Sequence, residues 1–183
     1  IDNDVYGTDF TIGFDTAAPA VNSVAAVGAG LCLNPAQTCV SLPFVLTRGD
    51  ATGLRAVSVT FQLETAKLRL CSPGTPASNV HLGTWADTFG NRSLQITDLG
   101  TGRYTVDVIL LGSPCGATAG GSLFTLDVAA QGPVGAGAVT ITSVTARDCA
   151  NAAVGVSPGA AGSVNISGAS IVLAPSSLPG ATA

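Results

Sequence analysis

Thr38 to Leu70, TCVSLPFVLTRGDATGLRAVSVTFQLETAKLRL, contains two alternating runs joined by a turn. In the first, Val40, Leu42, Phe44 and Leu46 alternate with Ser41, Pro43, Val45 and Thr47. In the second, Val57, Val59, Phe61 and Leu63 alternate with Ser58, Thr60, Gln62 and Glu64. Successive side chains on a strand point to opposite faces, so each run makes one apolar face and one mostly polar face. The connector Arg48–Gly53 (RGDATG) has turn chemistry. Two half-buried strands need a second layer to cover their apolar side, so the remainder of the chain must supply one.

Moving outward, the same period recurs. Leu94 and Ile96 precede Gly100-Thr101-Gly102, and Tyr104, Val106, Val108 and Leu110 follow it, which predicts a hairpin. Phe124, Leu126 and Val128 form another run. Val139 and Ile141 begin a further strand, and Val144 falls on the opposite parity, the mark of a β-bulge. Val164 and Ile166 make the last domain strand, and Ser23–Leu33 is read as a first one. Between Cys71 and Arg92 the pattern dissolves into loop, with one short strand near Val80 and Leu82. The expectation is an all-β sandwich of about nine short strands, with no helical period and no internal repeat.

Composition agrees. The chain has 183 residues, 46% apolar and 10% charged, with 23 glycines and 10 prolines. Ser, Thr, Gly and Ala must therefore cover the surface, and turns must be frequent. A net charge of −4 argues against nucleic-acid binding, which needs a basic face. No run is long and apolar enough to span a membrane. A chain that begins at Ile1 and has no methionine is expected to be a processed, exported product.

Five cysteines also suggest an oxidising compartment. Cys32 and Cys39 bracket a short turn and are expected to form a disulfide, worth about 2.5 kcal/mol in the chain-entropy view. Cys115 and Cys149 both follow strands and are the favoured second pair, which leaves Cys71 buried or paired between chains.

Residues 1–22 read as an extended N-terminal strand arm and linker, 23–168 as the sandwich, and 169–183 as a tail with a short apolar run at Ile171–Leu173. In the arm, Phe10, Ile12 and Phe14 alternate with Thr11 and Gly13, and TAAPAVN follows. An unpaired alternating strand is a liability. It either folds back on its own domain or inserts into a neighbouring subunit by strand donation. Asp2, Asp4, Gly7 and Asp9 echo a calcium loop, but Tyr6 and Gly13 stand where oxygen ligands belong. Turn-forming acids are the preferred reading there, with Ca2+ as the alternative; no other metal or cofactor is expected.

Three segments together resemble the cohesin family: TCVSLPFVLTRGDATGLRAVSVTFQLETAKLRL, GGSLFTLDVAA (120–130) and AVTITSVTARDCANAAVGVSPGAAGSVNI (138–166). Their order is similar to the opening, middle and closing strands of cohesin modules. Glu64 and Thr65 stand where family members tend to carry Asp and Pro. The resemblance implies a cohesin-like jelly-roll β-sandwich. It also implies a module of secreted bacterial surface proteins, and family members bind dockerins, small calcium-loaded modules, through one sheet face. No binding motif transfers residue by residue.

Catalytic constellations are not expected. The single histidine, His81, has no Gly-x-Ser-x-Gly elbow to serve. Asp107 and Asp127 lie on the polar sides of their strands, so they read as solvated rather than as a glycosidase pair. Trp85 reads as a core or rim anchor, and the Arg48-Gly49-Asp50 tripeptide as a turn. Asn91-Arg92-Ser93 and Asn165-Ile166-Ser167 are candidate glycosylation sites, the first more readily. These features lead to the expectation of a non-enzymatic extracellular structural subunit of a surface filament or layer. It would assemble with copies of itself through terminal strand exchange. The alternative is a cohesin-like binding module for a dockerin or a carbohydrate.

Overall fold

The computed structural model describes residues 21–168. The arm residues Phe10, Ile12 and Phe14, the acids Asp2, Asp4 and Asp9, and the tail run Ile171–Leu173 lie outside them.

The strands are β1 (Ser23–Ala26), β2 (Cys32–Leu33), β3 (Cys39–Thr47), β4 (Leu54–Leu63), β5 (Leu68–Leu70), β6 (Val80–Leu82), β7 (Asn91–Gly100), β8 (Arg103–Leu111), β9 (Gly121–Ala130), β10 (Gly135–Asp148), β11 (Ala153–Val154), β12 (Ser157–Pro158) and β13 (Gly162–Ile166). One 3-10 turn, Pro76–Asn79, precedes β6. The first sheet runs β12-β1-β3-β9-β5, with β6 also on β9; the second runs β2-β13-β10-β4-β8-β7, with β11 on β10. The protein is an all-β sandwich of two sheets.

The two runs of the opening stretch, β3 and β4, join different sheets. Their apolar faces cover each other. Val40, Leu42, Phe44 and Leu46 from β3 and Val57, Val59, Phe61 and Leu63 from β4 are all buried in one core. Phe44 meets Phe61 across the sheets at 4.9 Å between ring centroids and stacks on Phe124 of β9 at 4.4 Å. Such close ring pairs add to plain area burial.

β7 and β8 form the hairpin expected around Gly100-Thr101-Gly102. All three turn residues have positive φ, and a Cβ at Gly102 would strike the Thr65 side chain, so the turn depends on its glycines. β10 and β4 slip register between Ile141 and Ser143. This bulge returns Ala146 to the core after Ile141, which accounts for the parity change in the sequence.

Two expectations are corrected. Ser23–Leu33 is not one strand: β1 pairs with β3 in the first sheet, and β2 pairs with β13 in the second. Gly28 breaks the run where the chain changes layers, because a Cβ there would overlap the Ser163 backbone. The second correction follows from the first. Cys32 and Cys39 are not bonded; Cys39 pairs with Cys71 at a Cα separation of 5.9 Å, and Cys32 is a free thiol. The tight turn at Asn34–Gln37 sends Cys32 and Cys39 to different sheets, and Cys32 Sγ lies 3.4 Å from Ser167 Oγ. Cys39 begins β3 on one side of β9, opposite Ala129, while Cys71 follows β5 on the other side and its N–H donates to the Asp127 carbonyl. Cys115 is bonded to Cys149, joining the loops after β8 and β10.

Candidate functional site: an open sheet face

The polar parity of the strands places the remaining candidate residues on two outer faces. On the first sheet, Ser41 of β3 sits directly opposite Asp127 of β9. Ser41 Oγ donates to Asp127 Oδ1 at 2.5 Å, and His81 Nε2 of β6 lies 2.9 Å from Asp127 Oδ2. Serine, aspartate and histidine thus meet, but in the wrong order for nucleophilic catalysis. A hydrolase histidine must hold the serine hydroxyl to take its proton, and here the carboxylate stands between them. Asp107 lies on the outer side of β8 in the second sheet, opposite Ser58 and Gln95. Asp107 and Asp127 therefore face away from each other across the sandwich and cannot flank one glycosidic bond.

Trp85 is an anchor, 1% exposed, with Nε1–H donated to the Ala119 carbonyl at 3.1 Å. Asn91 begins β7 and Asn165 lies on β13, and both are exposed. Among the described residues no three His, Cys, Asp or Glu side chains converge to hold a metal. A cavity of about 290 Å³ opens at the end of the sandwich near Leu33, Pro35, Ala130 and Ile166, with Arg69 its one charged wall residue. Asn34, Gln37, Thr38 and Ser167 add amides and hydroxyls to the wall, but no histidine or carboxylate lines it to activate a hydroxyl.

The Arg48-Gly49-Asp50 tripeptide is folded onto itself. Arg48 is only 5% exposed at its side chain, and Nη2 donates to Asp50 Oδ1 at 2.6 Å. Asp50 also accepts from Asn22 Nδ2 at 2.7 Å and from the Thr52 N–H at 2.9 Å. These bonds, the one from Asn22 foremost, hold the Asp50 carboxyl down at about 2 against an ordinary 3.8. Because the folded-state value is depressed, the turn's contribution to stability is complete above pH 3.8 and is lost as pH falls through about 2. Carboxyl-detected NMR titration should place the Asp50 midpoint near 2, and Asn22→Ala should raise it. A midpoint near 3.8 in the folded protein would contradict the hydrogen-bonded turn.

The outer face of the second sheet is of another kind. β10, β4, β8 and β7 are adjacent strands of 14, 10, 9 and 10 residues. Their registers align outward side chains into rows. Ser143 pairs with Thr60, Thr60 with Thr105, and Thr105 with Thr97. The neighbouring row is Thr145, Ser58, Asp107 and Gln95. Thr60 and Thr105 are joined by a 2.9 Å hydroxyl–hydroxyl bond. Short hydroxyl side chains donate and accept at little entropic cost, so such a face can meet a partner's polar groups without ordering long side chains. The sequence showed which residues point outward. It did not show the rows, because alignment across four strands depends on registers between residues far apart in the chain.

No family model and no curated protein matches the chain. Solved structures do. A non-cellulosomal cohesin of the archaeon Archaeoglobus fulgidus superimposes with a TM-score of 0.60 at 16% identity, over 81% of this chain and 92% of that one. The sixth cohesin of scaffoldin B from Acetivibrio cellulolyticus, solved in complex with a dockerin, gives 0.63 at 18% identity over 81% and 100%. A cohesin module of a Clostridium perfringens family 33 glycoside hydrolase gives 0.60 at 10% identity over 81% and 98%.

Proposed function

We propose that this chain is a non-catalytic, extracellular binding module that docks a dockerin-like protein on the outer face of β10, β4, β8 and β7. The observation that carries the proposal is the aligned outer rows of that face, Ser143, Thr105 and Thr97 around a mostly buried Thr60, with Thr145, Ser58, Asp107 and Gln95 beside them. The similarity to cohesins solved in complex with dockerins supports the partner class. The opposite outer face is a poorer platform. Its strands β5 and β6 have three residues each, the Cys39–Cys71 disulfide links the strands on either side of β9, and Asp127 is already engaged by Ser41 and His81.

Two disulfides and a surface of hydroxyls suit an oxidising, extracellular setting. No helix among the described residues is long and apolar enough to cross a membrane.

Thr105→Arg places a long cation in the middle of the central row, where a docked surface would have to bury it. Isothermal titration calorimetry against calcium-loaded dockerins encoded by the same source should show saturable binding by the native chain. The variant should bind at least about tenfold more weakly, a loss of about 1.4 kcal/mol, while its melting temperature falls by only about 2–4 °C for the lost Thr60–Thr105 bond. If no dockerin binds the folded chain, or Thr105→Arg binds as well as the native chain, the docking face is wrong.

A further inference from the structure

The second sheet ends in an open edge. β7 is ten residues long, and among the described residues no strand pairs with its outer side. A free strand edge exposes a row of N–H and C=O groups, and proteins usually guard it with charged side chains, proline, a bulge, an inward-pointing charge or a short strand. β7 is long and has no lysine or proline. Its register shift and Asp98 lie at one end, and its inward-turned Arg92, on the carbonyls of Gly83 and Trp85, lies at the other, so Ser93–Thr97 between them is unguarded.

The core beneath this edge is also incompletely covered. Leu94 and Ile96 pack against the core yet stay half-buried, and no residue of β7 is fully buried. Leu82 of β6, on the facing layer, is 39% exposed. An added strand with large apolar side chains on alternate positions would both pair the backbone and cover these residues. Outside the described residues, Asp9–Asp15 fits best, with three such side chains, Phe10, Ile12 and Phe14, on one parity and acids at both ends; the tail run Ile171–Leu173 offers only two.

We infer that residues Asp9–Asp15 of one copy add to β7 of a second copy. Reach favours a second copy. The arm joins the domain at Asn22, which is held by Asp50, Gly155 and Ser157 next to β1. β1 packs against β10. From there to a strand beyond β7 is four strand spacings along the sheet and one layer across, about 22 Å in a straight line. From Asp15 to Asn22 the fully extended chain spans at most about 25 Å. That leaves about 3 Å of slack for a path that must go around the loops at the end of the sandwich with every linker residue fully extended. A second copy has no such constraint. The contact joins two different surfaces and does not close on itself, so it propagates head to tail. It uses the sheet's edge and leaves the hydroxyl face free, so it does not depend on the docking proposal.

The test uses the full chain. Sedimentation velocity over a concentration series, with negative-stain electron microscopy, should show native protein growing into linear polymers. Ile12→Asp and Phe10→Asp, both outside the described sandwich, should remain monomeric with the same circular dichroism. Amides of Asn91–Asp98 should exchange at least about tenfold faster in either variant than in the native polymer. A native chain that stays monomeric at every concentration overturns the inference, as do variants that polymerise equally or unchanged exchange on β7. Protection of β7 in a native monomer, independent of concentration, would place the strand on its own domain and overturn it as well.

Discussion

Replacing both disulfides with serine pairs should bring the domain to the edge of unfolding at room temperature. Each bridge closes a separation of 32 or 34 residues. In the chain-entropy view a loop of that size contributes about 3.7 kcal/mol, so the two together contribute about 7 kcal/mol. Folded domains retain roughly 5–15 kcal/mol in all. Cys39→Ser/Cys71→Ser and Cys115→Ser/Cys149→Ser should each lower the melting temperature by about 7–15 °C. Cys32→Ser should change stability by less than about 0.5 kcal/mol, because the half-buried thiol's polar partners, Ser167 Oγ and the Leu33 carbonyl, also suit a hydroxyl. Differential scanning calorimetry measures all three. Non-reducing peptide mapping should recover Cys39 with Cys71 and Cys115 with Cys149, and should find Cys32 open to alkylation. A bridged Cys32–Cys39 peptide, or a fully reduced protein that melts within a degree or two of the oxidised one, would refute the assignment.

The Cys32 correction shows what a sequence conveys about a sandwich. Alternation is local, and it was legible: the buried parity of β3, β4, β8 and β9, the bulge after Ile141, the short strand at Val80–Leu82 and the hairpin at Gly100-Thr101-Gly102 all follow from neighbours a few residues apart. Layer membership is not local. Val24 and Leu33 are both buried in the core, yet they belong to opposite sheets. Cys32 and Cys39 are close in sequence and are carried apart by that change of layer. Leu68–Leu70 likewise returns to the first sheet beside β9 although it closely follows β4 in the second.

The same limit applies to function. That Ser58, Thr60 and Asp107 point outward could be read from period two. That Thr60 meets Thr105, and that Asp127 meets a serine 86 residues away and a histidine 46 away, required the registers. The open edge of β7 has the same origin, since only the assembled sheet shows which strand has no neighbour.

Phe44→Ala gives the sharpest test of the packing itself. Phe44 is fully buried, pairs in register with Phe124 within its own sheet, and touches Phe61 of the other sheet. Removing its ring leaves a hole at the point where the layers meet. Phe61 and Phe124 are themselves fully buried on paired strands, so neither can swing to fill it. Cavities that cannot collapse fall at the upper end of the usual range, so the expected loss is about 4 kcal/mol. For a domain of this size that lowers the melting temperature by about 8–16 °C. The adjacent Val45→Ala, on the outer parity and half-buried, should cost about 1 kcal/mol or less. Thermal unfolding of the two variants side by side separates burial from mere hydrophobicity. Both positions are apolar in the sequence, and only the alternation assigns one to the core. Equal losses at 44 and 45 would mean that β3 does not present the face on which the two-layer architecture rests, whereas a severalfold difference would tie the fold to the period of the opening stretch.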